Sequence, residues 1–116
     1  MKDLAFIGSS QEDLRAFPEE ARRDAGFQLH FVQRGLEPSD WKYMHAVGPN
    51  AIEIRIRRHR EWRVIYVASF QSAVFVLHAF EKKTQRTRNS DIELARKRYK
   101  EVENREQKKV SQQRLP

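Results

Sequence analysis

The chain has 116 residues, no cysteine and a hydrophobic content of 39%. This length predicts one domain, and the absence of cysteine excludes disulfide frameworks, thiolate zinc sites and cysteine nucleophiles. The mean hydropathy is −0.85, and no apolar run approaches the roughly 20 residues that cross a bilayer, so we expect a cytoplasmic protein that does not associate with membranes.

The positive charge is concentrated in the second half of the chain. There are 23 Lys and Arg against 16 Asp and Glu, a net charge of +7. Residues 1–50 hold six basic and eight acidic residues, whereas residues 51–116 hold seventeen basic and eight acidic ones. This asymmetry predicts a polyanionic partner, nucleic acid first. The alternative is a solvated basic helix at the C-terminus.

The N-terminal half predicts one strand and two helices. Residues 4–7 form an apolar run that ends at Gly8, and the serines and acids that follow indicate a helix over about residues 10–16. Pro18 suits the first position of a second helix that ends at Gly35. Residues 36–50 are expected to be a connection. The apolar positions of the second helix are Ala21, Ala25, Phe27–Leu29 and Val32.

The second half predicts three consecutive strands and a helix. Residues 51–57 alternate between isoleucine and charged side chains, which is typical of a half-buried strand. Residues 58–61 indicate a polar turn, and apolar runs over 62–70 and 73–80 complete an antiparallel meander. A last helix begins near residues 89–91 and packs through Ile92, Ala95, Tyr99 and Val102.

These elements predict an α+β domain over residues 1–104 in the order β-α-α-β-β-β-α. The small antiparallel sheet would carry the two N-terminal helices packed on it and the C-terminal helix. Residues 105–116 are expected to be a polar basic tail that frays or extends the last helix, with fraying over residues 111–116.

Sequence patterns of metal, nucleotide and hydrolase sites are missing. The four histidines, His30, His45, His59 and His78, include no pair at the i, i+4 spacing of a helical zinc site. There is no glycine-rich phosphate loop and no nucleophile elbow. We therefore expect neither a metal nor a cofactor.

Cations of the predicted meander indicate a phosphate-binding face. Arg55 and Arg57 share one face of the first meander strand, Arg63 lies on the next strand, and Lys82–Lys83 follow the end of the third. Because adjacent strands lie about 4.8 Å apart, these cations can converge. Arg63 lies among apolar residues and needs an anion, either Glu53 or an external phosphate.

Several segments together resemble one family. They are Ile52–Arg57, Trp62–Val67, Val76–Gln85, Asp91–Ala95 with Tyr99, and Trp41-Lys42 with Val47–Pro49. This combination resembles the RelE/ParE toxin superfamily, and more narrowly its phage-derived HigB-type branch, over about residues 4–103. The resemblance implies a RelE-like fold and the toxin of a type II toxin–antitoxin module, an endoribonuclease that cleaves mRNA in the ribosomal A site. The implied partners are the ribosome with its mRNA and a helix-turn-helix antitoxin, through which alone the toxin would meet operator DNA.

The cations suit this chemistry, because attack of an RNA 2′-OH on its own 3′-phosphate needs no metal and no protein nucleophile. We assign the phosphate clamp to Arg63, with Arg55 and Arg57 next. Proton transfer is assigned to Lys82 or Lys83, since neighbouring cations lower the pKa of a lysine. We take Arg63, Lys82, Lys83 and Arg55 as the catalytic set, and Arg57, Arg58, His59, Arg60 and Arg86 as further RNA contacts.

Other proton carriers and other functions stay open. Tyr99 and His78 could transfer protons or be core residues, and His59 could be a solvated turn residue. The alternative functions are a ParE-like gyrase poison, a non-catalytic nucleic-acid-binding module and an inactive relative of the toxins. For the nuclease, replacement of Arg63 or of Lys82–Lys83 is expected to abolish growth arrest with little loss of folding.

Overall fold

A computed structural model describes residues 1–113 as a five-stranded sheet with helices on both faces. The predicted α+β, RelE-like fold class is confirmed. The elements are β1 (Asp3–Phe6), α1 (Ser10–Arg15), α2 (Glu19–Gln33), β2 (Trp41–Tyr43), β3 (Ile52–Arg58), β4 (Arg60–Val67), β5 (Ala73–Glu81) and α3 (Asn89–Gln113).

The strands lie in the order β1-β5-β4-β3-β2. Strands β3, β4 and β5 form the predicted antiparallel meander. Two details differ from the prediction: β1 pairs with β5 in parallel, and the three-residue strand β2 adds an antiparallel edge to β3. Strand β2 lies in the segment expected to be a connection, where three residues are too few for a periodic signal.

The hairpin between β3 and β4 is tighter than predicted. Arg58 still pairs with Arg60, and only His59 lies between them, with φ at 64°. The polar turn over residues 58–61 is therefore wrong, because both strands extend almost to the tip. This extension places Glu61 on β4, in register with Arg57.

Helices α1 and α2 cover one face of the sheet. Leu14 and Phe17 are buried against it. The end of α2 is a Schellman motif, in which Gly35 (φ 82°) donates to the Val32 carbonyl and Leu36 to the Phe31 carbonyl. One expectation is wrong: the Phe27 side chain points to solvent and is 65% exposed.

Helix α3 covers part of the other face. Its predicted stripe packs there, with Ala95, Tyr99 and Val102 buried. The helix continues to Gln113, so residues 105–113 extend it, and the fraying expected at residues 114–116 lies outside the described residues. Over residues 1–113, no helix combines the length and the apolar content that crossing a bilayer requires.

Candidate functional site

Strands β2 to β5 bring charged side chains together on the face that α3 partly covers. Residues directly opposite in antiparallel strands share a face, and the register pairs Lys42 with Glu53, Arg55 with Arg63 and Arg57 with Glu61. We call this group the cation cluster. It consists of the cations Lys42, Arg55, Arg57, Arg63 and Lys82 and the carboxylates Asp40, Glu53 and Glu61.

Arg63 is the buried centre of the cation cluster, with its side chain 3% exposed. Its NH2 donates to Glu61 Oε1 at 2.9 Å and its NH1 to the Trp62 carbonyl at 2.9 Å. Its Nε lies 3.6 Å from Glu53 Oε1. The expectation that a buried arginine needs Glu53 or a phosphate is thus met within the chain, by Glu53 and Glu61. Because Glu61 takes the NH2 group and the Trp62 carbonyl takes NH1, a phosphate bound by Arg63 would have to replace the Glu61 carboxylate.

Glu53 is fully buried beneath this arginine. Its Oε2 accepts a hydrogen bond from Thr87 Oγ1 at 2.8 Å, and its Oε1 lies 3.9 Å from Lys42 Nζ. Within residues 1–113, neither Glu53 Oε1 nor the facing Arg63 Nε has a hydrogen-bond partner. The contact to Thr87 ties residues 82–88, the loop between β5 and α3, to the sheet.

Arg55 and Arg57 form the accessible side of the cation cluster. Arg55 NH1 lies 3.6 Å from Asp40 Oδ1 with the side chain 29% exposed. Arg57 is more exposed, and its Nε lies 3.6 Å from Glu61 Oε1. Pairs of this kind between partly exposed groups are weak. Both guanidinium groups can therefore exchange their carboxylates for a ligand phosphate.

Lys82 extends the ladder of β4 and β5 by one residue, since its backbone N–H donates to the Glu61 carbonyl at 2.7 Å. Burial, and then the positive charge of Arg63, lower the pKa of the Lys82 ammonium below its ordinary 10.5. Glu53 opposes this effect, whereas Lys42 and Arg55 add to it. A lysine of this kind carries a neutral amine more often than a free one, as the sequence predicts for one of the two lysines.

The two other predicted cations of this loop, Lys83 and Arg86, are exposed. Neither forms an ion pair with the part of the chain that the structure describes. The Arg86 carbonyl accepts a hydrogen bond from Thr84 Oγ1, which bends the loop. Both cations are free to contact RNA, and their roles stay predictions.

Three predicted RNA contacts lie on the opposite face, above α2. Arg58 Nε donates to Asp24 at 2.6 Å, and His59 Nε2 lies 3.8 Å from Glu20. The Arg60 guanidinium lies 5.2 Å from the centre of the Trp62 ring. The structure does not bring these residues to the cation cluster, because alternation along β3 and β4 sends Arg58 and Arg60 to the α2 side, and His59 lies at the hairpin tip between them.

His78 and Tyr99, the two other candidate proton carriers, lie in the core. Tyr99 donates its hydroxyl to the Pro49 carbonyl at 2.7 Å. His78 Nε2 lies 2.7 Å from Asp91 Oδ1, and its ring stacks on Phe80 at 4.7 Å. Strict alternation along β5 would place His78 and Phe80 on the same side as Val74 and Val76, but they lie on the other side. An irregularity in the pairing of β4 with β5 breaks the alternation, so the valines pack under α1 and α2 whereas Phe80 packs with the α3 cluster.

Sequence reasoning missed four residues of this site. Lys42 and Asp40 were hidden in the supposed connection: Trp41 and Tyr43 flank Lys42 as in a strand, but three residues are too few to establish an alternation. Glu61 was placed in a turn, although it stands two residues before Arg63 and so on the same face. Thr87 had no signal, because its contact to Glu53 crosses 34 positions of the chain.

A wide groove lies away from the cation cluster. It has a volume of about 1130 Å³ and is lined by Leu36, Tyr43, Tyr66 and neighbouring residues at the far ends of β3 and β4. Burial raises the pKa of the Tyr66 hydroxyl, so that group stays protonated. The groove contains none of the cation cluster. The cation cluster is therefore the better candidate for chemistry on a polyanion.

Comparison with known proteins identifies the family pattern over most of the chain. Residues 12–100 match the family model described as "Phage derived protein Gp49-like (DUF891)". This range contains the whole cation cluster and the loop that carries Thr87. No curated protein matched the chain.

Proposed function

We propose that this chain, which belongs to the Gp49-like family of phage-derived proteins within the RelE/ParE toxin superfamily, is the toxin of a type II toxin–antitoxin module and an mRNA endoribonuclease. Its substrate would be mRNA in the ribosomal A site. A cognate helix-turn-helix antitoxin would neutralise it, in keeping with a HigB-type toxin.

One observation carries the proposal: Lys82, whose pKa is lowered, faces Arg63 and Arg55 on one surface. A lysine that gives up its proton more readily than a free one, beside fixed guanidinium groups, suits metal-free cleavage of RNA. The accessible guanidiniums of Arg55 and Arg57 suit a phosphodiester, which they can contact with paired donors.

In the proposed reaction, the neutral amine of Lys82 accepts the proton of a ribose 2′-OH. The 2′-oxygen then attacks the adjacent phosphorus, and the bond from phosphorus to the 5′-oxygen breaks. The products are a 2′,3′-cyclic phosphate and a 5′-OH, whose proton comes from Lys83 or from solvent. Arg55, Arg57 and Arg63 stabilise the charge that develops on the phosphoryl oxygens, with the phosphate taking the place of Glu61 on the guanidinium of Arg63.

The non-catalytic binding module is less well supported by the geometry. Such a module stacks bases on exposed aromatic rings beside its cations. Trp62 is buried, and the exposed Tyr43 pairs with Ile52, which packs on the α2 side of the sheet. No exposed aromatic ring therefore stands beside Lys82 and Arg55 among the described residues.

The test is controlled expression with mapping of mRNA 5′ ends by primer extension. We expect growth arrest and new ends inside translated codons with the wild-type chain. Lys82→Gln should give neither, whereas Arg34→Gln, at the exposed end of α2, should behave as wild type. Growth arrest with intact mRNA and inhibited DNA supercoiling would instead support a ParE-like gyrase poison.

A further inference from the structure

The two oxygens of the buried Glu53 carboxylate face different parts of the site. Oε1 faces Arg63 Nε at 3.6 Å and Lys42 Nζ at 3.9 Å. Oε2 accepts the hydrogen bond of Thr87 at 2.8 Å. Because the side chain is 0% exposed, it cannot touch an RNA, and any influence on chemistry acts through its neighbours.

We propose that Glu53 is the positioning residue of the site: one carboxylate oxygen holds the guanidinium of Arg63 and the other, through Thr87, holds the loop that carries Lys82, Lys83 and Arg86. Its consequence for RNA cleavage rests on the proposed function, whereas the mechanical linkage rests on these contacts alone.

A purely packing role does not account for this carboxylate. Its removal from water costs free energy that an apolar residue of similar size would not lose. Its Oε1 accepts no hydrogen bond from the residues that the structure describes, so these residues satisfy the charge incompletely. A buried charge that links a β4 arginine to a threonine on a loop fixes the distance between them, which an apolar side chain cannot do.

Glu53 also sets the charge around Lys82. The groups that face Lys82 come from three strands. They are Lys42 on β2, Glu53 and Arg55 on β3, and Glu61 and Arg63 on β4. Glu53 lies within this group without exposure to salt or solvent, so its charge is weakly screened.

The first arm of the test is an NMR titration of the protein carrying ¹³C-labelled lysine. With Glu53→Gln, which keeps the shape and removes the charge, we expect the titration midpoint of Lys82 to fall by about half a unit to one unit. The control is Glu103→Gln, on the exposed side of α3, which should leave it unchanged. A folded Glu53→Gln protein with the wild-type midpoint would overturn the proposal.

The second arm measures order in the loop. Thr87→Val removes the hydroxyl without a change of shape, so the backbone order parameters of residues 84–88 should fall from about 0.85 to below about 0.6. Thr87→Ser restores the donor and should restore the order. Order parameters in Thr87→Val equal to those of the wild type would contradict the linkage.

Cleavage assays separate this proposal from the proposed function. If the wild type cleaves ribosome-bound mRNA, Thr87→Val should lower kcat at least about tenfold with a smaller change in KM, and Thr87→Ser should recover it. If the wild type cleaves no RNA while both NMR arms give the expected changes, the proposed function fails and the positioning role of Glu53 is supported. Unchanged kcat in an active, folded Thr87→Val protein would overturn the catalytic consequence.

Discussion

Arg55 and Arg63 lie directly opposite each other on β3 and β4, two cations in a position where like charges are unfavourable. Different carboxylates hold them: Asp40 lies beside Arg55, and Glu61 with Glu53 beside Arg63. Two guanidinium groups placed opposite each other on neighbouring strands can both contact the same anion, and this arrangement is expected where a phosphate binds.

Replacement of Arg55 should separate activity from stability. Arg55→Gln removes the repulsion from Arg63 together with the weak contact to Asp40, so the free energy of unfolding should change by less than about 1 kcal/mol. Cleavage of ribosome-bound mRNA should fall by at least about a hundredfold, because a phosphate contact is lost. Urea denaturation and single-turnover cleavage measure the two effects. A variant that cleaves as fast as the wild type would place the phosphate elsewhere.

Replacement of Arg63 should lower both the cleavage activity and the stability of the protein. The sequence alone suggests little loss of folding, but the structure buries this side chain against Glu53. Arg63→Met leaves that carboxylate without its nearest cation, and the free energy of unfolding should fall by about 3 kcal/mol. Arg63→Lys keeps a positive charge and should retain more stability while losing the fork that binds phosphate. Equal free energies of unfolding for wild type and Arg63→Met would show that burial of the Glu53 carboxylate does not require the guanidinium of Arg63.

The lowered pKa of Lys82 predicts two pH effects. The neutral amine is the proposed base, so cleavage should rise with pH, close to about tenfold per unit, until the pKa of Lys82 is reached. For stability, the folded-state pKa lies below the unfolded value of 10.5, so the unfolded chain binds more protons between these values. The free energy of unfolding should therefore rise with pH in that window.

Lys82→Met tests both effects. It should lack this rise in stability when urea denaturation is followed from neutral to alkaline pH. Its residual cleavage should depend only weakly on pH in single-turnover assays. The same slopes in wild type and variant would assign the titration to another group.

Tyr99 should have a structural role only. Tyr99→Phe loses the hydrogen bond to the Pro49 carbonyl, and the free energy of unfolding should fall by about 1 kcal/mol. Cleavage per folded molecule should stay at the wild-type rate, as measured by single-turnover assays at a temperature where both proteins are folded. A large loss of kcat with normal folding would make Tyr99 a proton carrier after all.

Periodicity and charge predict much of this molecule. The alternation in residues 51–57 correctly places Arg55 and Arg57 on one face, and the stripe from Ile92 to Val102 correctly orients α3. Other residues of the site are harder to predict from periodicity and charge. Asp40 and Lys42 depend on a strand of three residues, and Thr87 reaches Glu53 through a loop with no period. Which residue of Lys82–Lys83 faces the arginines is set by where β5 ends, a boundary that periodicity locates only to within a few residues.

The most direct test of the account is cleavage of an mRNA whose cleaved nucleotide carries a single 2′-deoxy substitution, placed in the A site of purified ribosomes. We expect cleavage of the all-ribose mRNA, with a 2′,3′-cyclic phosphate on the upstream fragment by mass spectrometry, and no cleavage after the deoxy nucleotide. Equal cleavage of both messages would contradict attack by the 2′-OH, and with it the role of Lys82 as the base.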